Sequence, residues 1–288
     1  MKQATRNGPV TEVSGFQDRL LGALYGSVLG RMLLKPLTAP ALSRFVGFLL
    51  STGASRILIG PFVRSHNIQM DQFEPGPYSS YNAFFSRKLL PGARPVDPCP
   101  DHLISPCDSK LTALPVTGDL RFRLKHTEYT LPALIKDEAL AREYRGGTLL
   151  IFRLTVDDYH RYCYVSDGET GEIRAIPGIL HTVNPIANDH YPIYKENARE
   201  YTVLRTQAFG EILMMEVGAL LVGKIVNHPG PRRVVRGQEK GYFQFGGSTV
   251  ILLLKAGAVK IDGDILENSK AGIETVVRMG ERIGNADR

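Results

Sequence analysis

The 288-residue sequence contains no tryptophan and only three cysteines, Cys99, Cys107 and Cys163. Without Trp, a broad carbohydrate-stacking surface or an aromatic cage lacks its best component. An odd number of cysteines at these spacings is not a metal pattern, and it suits free thiols in a reducing compartment. The seven histidines (His66, His102, His126, His160, His181, His190 and His228) show no HExxH spacing and join no Cys/His cluster, so the expectation is no metal. No uninterrupted apolar run reaches the ~18 residues of a spanning helix. The two longest candidates are broken by charge, 16–34 by Asp18, Arg19 and Arg31, and 45–63 by Arg56. The first residues lack the apolar run of a signal peptide and carry Glu12 and Asp18. These absences predict a soluble or peripheral protein kept in the cytoplasm. No fixed-period repeat or low-complexity tract is visible.

What is present is ordinary globular composition, 43% hydrophobic and 22% charged. That excludes a disordered, collagen-like or coiled-coil chain. The length allows one large domain or two small ones with a sizeable core. Lys+Arg number 35 against 29 Asp+Glu, a net charge of +6, which suits an anionic partner. Nucleic acid is disfavoured as that partner, because no basic-aromatic RNP stretch, zinc finger or clear helix-turn-helix is found.

Residues 11–72 read as helical. One stripe holds Leu20, Leu21, Leu24, Tyr25 and Val28, and a second holds Leu42, Phe45, Val46, Leu49 and Leu50, with Pro36 and Pro40 as punctuation. Such stripes beside Arg44 and Arg56 suit either a membrane interface or the protein's own core. A short helix over Asn82 to Leu90, capped by Asn82, follows a turn-rich connection. After a Pro-rich linker, Pro91 to Pro100, the pattern turns to strands: Thr148–Leu154, Arg161–Val165, Glu211–Val217, Leu220–Val226, Ser248–Leu254 and Val259–Ile261. Ser269 to Ile283 reads as a C-terminal helix. The expected class is α+β, with an N-terminal helical, membrane-associating region over 1–72 and an antiparallel β-rich domain over 73–288.

Three pieces could carry chemistry. His160, in Asp157-Asp-Tyr-His-Arg-Tyr-Cys163, is a candidate acid or base, although a lone His at a strand edge is more often structural. Asp108 lies in Ser105-Pro-Cys-Asp-Ser-Lys110, where a turn Asp bonding its own backbone is the bland reading. Gly246-Gly-Ser-Thr249 opens an apolar strand. A Gly pair there commonly marks a bulge or tight turn. The sharper reading is that Ser248 attacks the uncrowded carbonyl of Gly247, given strain and a base.

The ordered set is more specific than its parts. It runs Asn82-Ala-Phe-Phe-Ser-Arg-Lys-Leu, Ile104-Ser-Pro-Cys-Asp-Ser-Lys, Asp158-Tyr-His-Arg-Tyr-Cys, His181-Thr-Val-Asn-Pro-Ile-Ala, Glu196-Asn-Ala-Arg-Glu-Tyr, Met215-Glu-Val-Gly-Ala and Lys240-Gly-Tyr-Phe-Gln-Phe-Gly-Gly-Ser-Thr-Val. Over about residues 73–284 this order resembles the phosphatidylserine decarboxylase family. The resemblance implies a proenzyme that cuts itself between Gly247 and Ser248 into a large chain, 1–247, and a small chain, 248–288. Ser248 would pass through an ester and dehydroalanine to a pyruvoyl group, with release of ammonia. That covalent pyruvate would be the cofactor, drawing electrons through a Schiff base with the substrate amine as CO2 leaves. Phosphatidylserine in an anionic membrane surface would be the partner, phosphatidylethanolamine the product, and the inner face of a bacterial cell membrane the location. A homodimer is a further implication.

In this family the cut resembles the work of a serine-protease triad. Asp108 and Ser248 match two members, but Cys163 stands where many relatives carry the triad His. Two accounts stay open. His160 serves both steps, or His181, in a hairpin pairing 161–165 with 179–183, supplies the base to the cut. The second is preferred here, with His160 as acid at the substrate carbon. Cys163 reads as a small buried residue. Arg87, Lys88 and Arg161 are candidates for a lipid phosphate, although solvation is the ordinary fate of such side chains. The alternatives are a pyruvoyl-dependent decarboxylase of a free amino acid and a non-cleaving lipid-binding relative.

Overall fold

The structure is a computed structural model that describes residues 2–6, 8–12, 22–124, 126–184, 191–220, 224–229, 232–244 and 248–287. Leu20, Leu21, His190, Gly246 and Gly247 lie outside the described residues.

The centre is an eleven-stranded, mostly antiparallel sheet. Its middle runs Gly210–Val217, Ser248–Leu254, Thr148–Leu154, Ser109–Pro115. The central pair, Ser248–Leu254 and Thr148–Leu154, is mostly apolar because both faces of the sheet are covered. Alternation sends Leu150, Phe152, Met214, Val250 and Leu252 to one face, against Tyr162, Cys163 and Phe243. It sends Leu149, Ile151, Leu213, Met215, Ile251 and Leu253 to the other, against Tyr129, Tyr144, Leu131 and Leu134. Ser248 therefore points to the first face. On that face lies a three-stranded sheet in the order Lys224–Asn227, Glu239–Gln244, Arg161–Cys163.

The class is α+β, as expected. The strands Thr148–Leu154, Ser248–Leu254 and Val259–Ile261 have the bounds read from sequence. Other elements differ. Lys2–Thr5 and Val10–Glu12 are strands around a turn at Gly8, so helix does not begin at residue 11. Lys2–Thr5 joins the central sheet by parallel pairing with Glu274–Val277. Pro36 does not end its helix, which runs Val28–Leu37. The short helix is Tyr81–Phe85, capped by Ser80 rather than Asn82. It stops at Phe85 because the carbonyls of Ser86 and Arg87 accept from the Arg161 guanidinium instead of continuing the helix. The C-terminal helix is Gly263–Lys270, and the stretch read as helix holds the strands Glu274–Val277 and Arg282–Ala286. Gly272, at φ +70°, turns the chain out of the helix, and β-branched Thr275, Val276 and Val277 suit the sheet that receives them.

A buried polar bridge ties the two sheets together. Lys240 Nζ, 1% exposed, lies 2.7 Å from Glu216 Oε2 and 2.7 Å from Asn227 Oδ1. Glu216 belongs to the central sheet, where it faces Val250, and Lys240 and Asn227 belong to the small one. Burial raises the Glu216 carboxyl above its usual range and Lys240 opposes this. Removing one partner leaves a buried charge uncompensated, at a cost of about 3–5 kcal/mol. In an uncleavable Ser248→Ala background, Lys240→Met is expected to lower urea-unfolding stability by about that amount. The double variant Lys240→Met/Glu216→Leu is expected to recover most of it, and equal loss in single and double variants would contradict the bridge.

Candidate active site

The strand Thr148–Leu154 ends in a tight turn, Thr155 to His160, before the chain re-enters the small sheet at Arg161. Asp158 builds this turn. Its backbone N–H donates to the Thr155 carbonyl at 2.9 Å, and its carboxylate accepts from the Thr155 N–H at 2.6 Å and hydroxyl at 2.8 Å. Lys110 Nζ donates to both Asp158 oxygens at 2.7 Å and to the Thr155 hydroxyl at 2.6 Å. The turn is thereby locked with the Thr155 carbonyl facing inward.

His160 hangs from this turn, wholly buried. Its Nε2 lies 3.0 Å from the Thr155 carbonyl oxygen, and its Nδ1 lies 3.4 Å from Ser248 Oγ. A carbonyl can only accept, so Nε2 carries the hydrogen and Nδ1 keeps its lone pair. The Phe85 ring packs on the imidazole at 4.1 Å. Burial, with the nearby Arg87 charge, pushes the imidazole down to about 3, so it is neutral at physiological pH. Ser248, also wholly buried, lies opposite Leu154 at the first residue of its strand. The pair therefore brings an unprotonated nitrogen to a serine hydroxyl in a seam shielded from water.

The other expected residues fall elsewhere. Asp108 accepts from Arg94 Nε at 3.0 Å and Nη2 at 2.6 Å, and from the Met279 N–H at 2.9 Å. No His160 or Ser248 atom is among its partners in the described residues. His181 Nδ1 lies 3.2 Å from the Tyr25 hydroxyl and Nε2 lies 3.4 Å from Glu196, with the ring stacked on Tyr191 at 4.7 Å. Burial lowers the His181 imidazole, so the Glu196 approach is not an ion pair. The hairpin expected between 161–165 and 179–183 is not formed. Arg161–Cys163 pairs with Glu239–Gln244, and Ile179 bridges Asn197, whose side chain holds both the N–H and the carbonyl of His181. Cys163 is buried, and burial pushes its thiol up to about 12, far from a base at neutral pH.

The basic candidates separate sharply. Arg161 is committed to Ser86, Arg87 and Glu239, and Lys88 is exposed. Arg87 is 2% exposed, against the solvated fate expected of it. Its guanidinium lies 4.2 Å from the Phe73 ring and 4.8 Å from the Phe84 ring. Such contacts contribute about 0.5–2 kcal/mol each. Thr155, Lys110 and Asp158 were missed as site residues. The adjacent Asp157-Asp158 and the DSK segment were visible, but nothing local marks a backbone carbonyl as a partner for His160.

A serine hydroxyl set against a tautomer-fixed imidazole is the arrangement that a serine nucleophile with its own base requires. The phosphatidylserine decarboxylase family model matches residues 81–285. The chain is 48% identical over 273 residues to phosphatidylserine decarboxylase proenzyme 2 of Clostridium acetobutylicum, covering 94% of each chain. It is 41% identical over 288 residues to the phosphatidylserine decarboxylase proenzyme of Ruminiclostridium cellulolyticum, covering 98% of this chain and 95% of that one. The corresponding proenzyme of Desulfitobacterium hafniense is 40% identical over 286 residues, with 97% and 95% covered. The chain belongs to the phosphatidylserine decarboxylase family.

The buried neutral His160 has a consequence for stability. Unfolded, it titrates near its ordinary value of about 6.5. Folded, it stays neutral down to about 3. Between those values the unfolded chain binds the extra proton, so stability falls as pH falls, by up to about 1.4 kcal/mol per pH unit. In the Ser248→Ala background, His160→Asn is expected to flatten this limb of an unfolding-versus-pH series. An unchanged limb would contradict the assignment.

Proposed function

We propose that the chain is a proenzyme that cuts itself between Gly247 and Ser248 and then converts phosphatidylserine to phosphatidylethanolamine and CO2. The observation that carries this reading is the 3.4 Å approach of His160 Nδ1 to Ser248 Oγ inside a closed seam. Thr155 keeps the hydrogen on Nε2, so Nδ1 takes the Ser248 proton. The freed oxygen attacks the preceding carbonyl, that of Gly247, in place of any solvent nucleophile. Cys163 stays a thiol, so the base role left open by its presence falls to His160 rather than His181. Asp108 and Arg94 act one step removed, holding the Pro-rich linker to the segment after the strand Glu274–Val277.

The seam fits the group that the family uses. Residue 248 is enclosed and apolar on its strand side, which keeps water from a reactive carbonyl. The pyruvoyl group supplies an electron-accepting carbonyl for the substrate amine. To act as acid at the substrate carbon, His160 Nδ1 would first take up a proton from water once the cut has opened the seam. Because Ser248 and His160 are both sealed in the uncut chain, self-cleavage precedes substrate entry.

Attachment to an anionic membrane from the cytoplasmic side is part of the proposal. No helix among the described residues is long and apolar enough to cross a membrane. Phe45, Phe48, Leu49, Ile57 and Leu58 stand exposed on neighbouring helices, with Arg44 and Arg56 also exposed. An apolar patch with basic neighbours suits an interfacial seat on acidic lipid.

Intact mass under denaturing conditions tests the reading. Two chains, 1–247 and 248–288, are expected, the smaller lighter by one ammonia than its Ser-started form. His181→Ala is expected to yield the same two chains, whereas His160→Ala stays uncut. A cut His160→Ala protein or a Ser-started small chain would contradict the proposal. Phe48→Glu/Ile57→Glu is expected to cut normally yet lose most sedimentation with phosphatidylserine vesicles. Undiminished sedimentation would remove the membrane seat from those helices.

A further inference from the structure

Arg87 is a buried cation with two donors to spare. Among the described residues, Nη1 reaches only the Phe84 carbonyl, at 3.5 Å. Nε and Nη2 are buried and have no hydrogen-bond partner among the described residues. Those two nitrogens form one edge of the guanidinium, the edge that takes two oxygens of a phosphate or carboxylate side by side. Buried donors are ordinarily satisfied, and such an exception calls for an occupant. The guanidinium carbon lies over the Phe73 and Phe84 rings, which hold the cation but offer its N–H groups no acceptor oxygen.

The surroundings indicate which ligand. The buried cluster of Tyr81, Phe84 and Phe85 packs with Leu50, from the helix that carries Phe45 and Phe48, and with Ile59, Phe62 and Val63, from the helix that follows Ile57 and Leu58. Phe85, the next residue, packs on His160, which reaches Ser248. Arg161 bonds the Ser86 and Arg87 carbonyls and so fixes Arg87 relative to that site. The order in the protein is apolar helices, Arg87, His160, Ser248. The order in a phosphatidylserine molecule is acyl chains, phosphate, serine amine.

We propose that the Nε/Nη2 edge of Arg87 binds the phosphate of the lipid substrate, setting its headgroup at the depth of residue 248. The inference rests on the decarboxylase reading above. The substrate carboxylate is the less suitable occupant, because a guanidinium held on the departing group stabilises the ground state and slows its loss. Lys88 is exposed and Arg161 is fully engaged, so neither competes for the role.

The test uses the processed enzyme with short-chain, water-soluble phosphatidylserine as substrate and short-chain phosphatidylethanolamine as inhibitor. Intact mass first verifies that Arg87→Met has a pyruvoyl-terminated small chain. Its KM for phosphatidylserine and its Ki for phosphatidylethanolamine are both expected to rise at least about tenfold, with kcat changed less. Arg87→Lys keeps the charge but loses the paired edge, and an intermediate rise is expected. Unchanged KM and Ki would overturn the proposal and leave Arg87 an aromatic-packed structural residue. A raised KM with unchanged Ki would overturn it in favour of the carboxylate, which the inhibitor lacks. If Arg87→Met stays uncut, Arg87→Lys decides, and failure of both to process would place Arg87 in folding and overturn the proposal. Processed wild-type protein that leaves phosphatidylserine intact would instead sink the decarboxylase reading.

Discussion

The hydrogen bond from His160 Nε2 to the Thr155 carbonyl is the constraint on which the site depends. It turns a symmetric imidazole into one with a defined donor and a defined acceptor. Reversed, the ring would point a hydrogen at Ser248 and could not take its proton. The bond holds because the turn beneath it is locked by Asp158 and Lys110. Burial then keeps the ring uncharged, so its lone pair does not depend on pH near neutrality. A low basicity makes proton transfer from serine uphill. In the proposed cut, enclosure and fixed geometry offset that cost, since the attacking and attacked groups belong to one chain and lose little freedom.

The fold supports this pair from both sides. The central strand presents Ser248 at its first residue, and the small sheet carries His160 at the entrance to Arg161–Cys163. The Phe243 N–H donates to the His160 carbonyl at 2.9 Å, which fastens the histidine to the strand leading into the cleavage segment. The Lys240–Glu216 bridge spans the same two sheets. A shift of one sheet against the other would break these bonds together, so the seam holds one registration.

Much of this was legible in the sequence, and the exceptions have physical reasons. Strands covered on both faces are written as continuous apolar runs, and for that reason Thr148–Leu154 and Ser248–Leu254 were read to the residue. The C-terminal stretch misled because the short strands Glu274–Val277 and Arg282–Ala286 pair with Ser109–Pro115 and His102–Ile104, far away in sequence. The ordered motifs led to the family, which the match over residues 81–285 and the 48% identity to the Clostridium acetobutylicum proenzyme bear out. They did not locate the partners of His160, since a backbone carbonyl leaves no mark in sequence. Nor could they separate Arg87 from Lys88. The two are neighbours, and only Phe73 and Phe84, brought together by the fold, decide which is enclosed.

The most direct test of the central claim is the nitrogen-15 spectrum of His160 in the Ser248→Ala proenzyme, followed from pH 5 to 8. A neutral ring with the hydrogen on Nε2 is expected throughout that range. A hydrogen on Nδ1, or a ring that becomes cationic near its ordinary pKa, would contradict it.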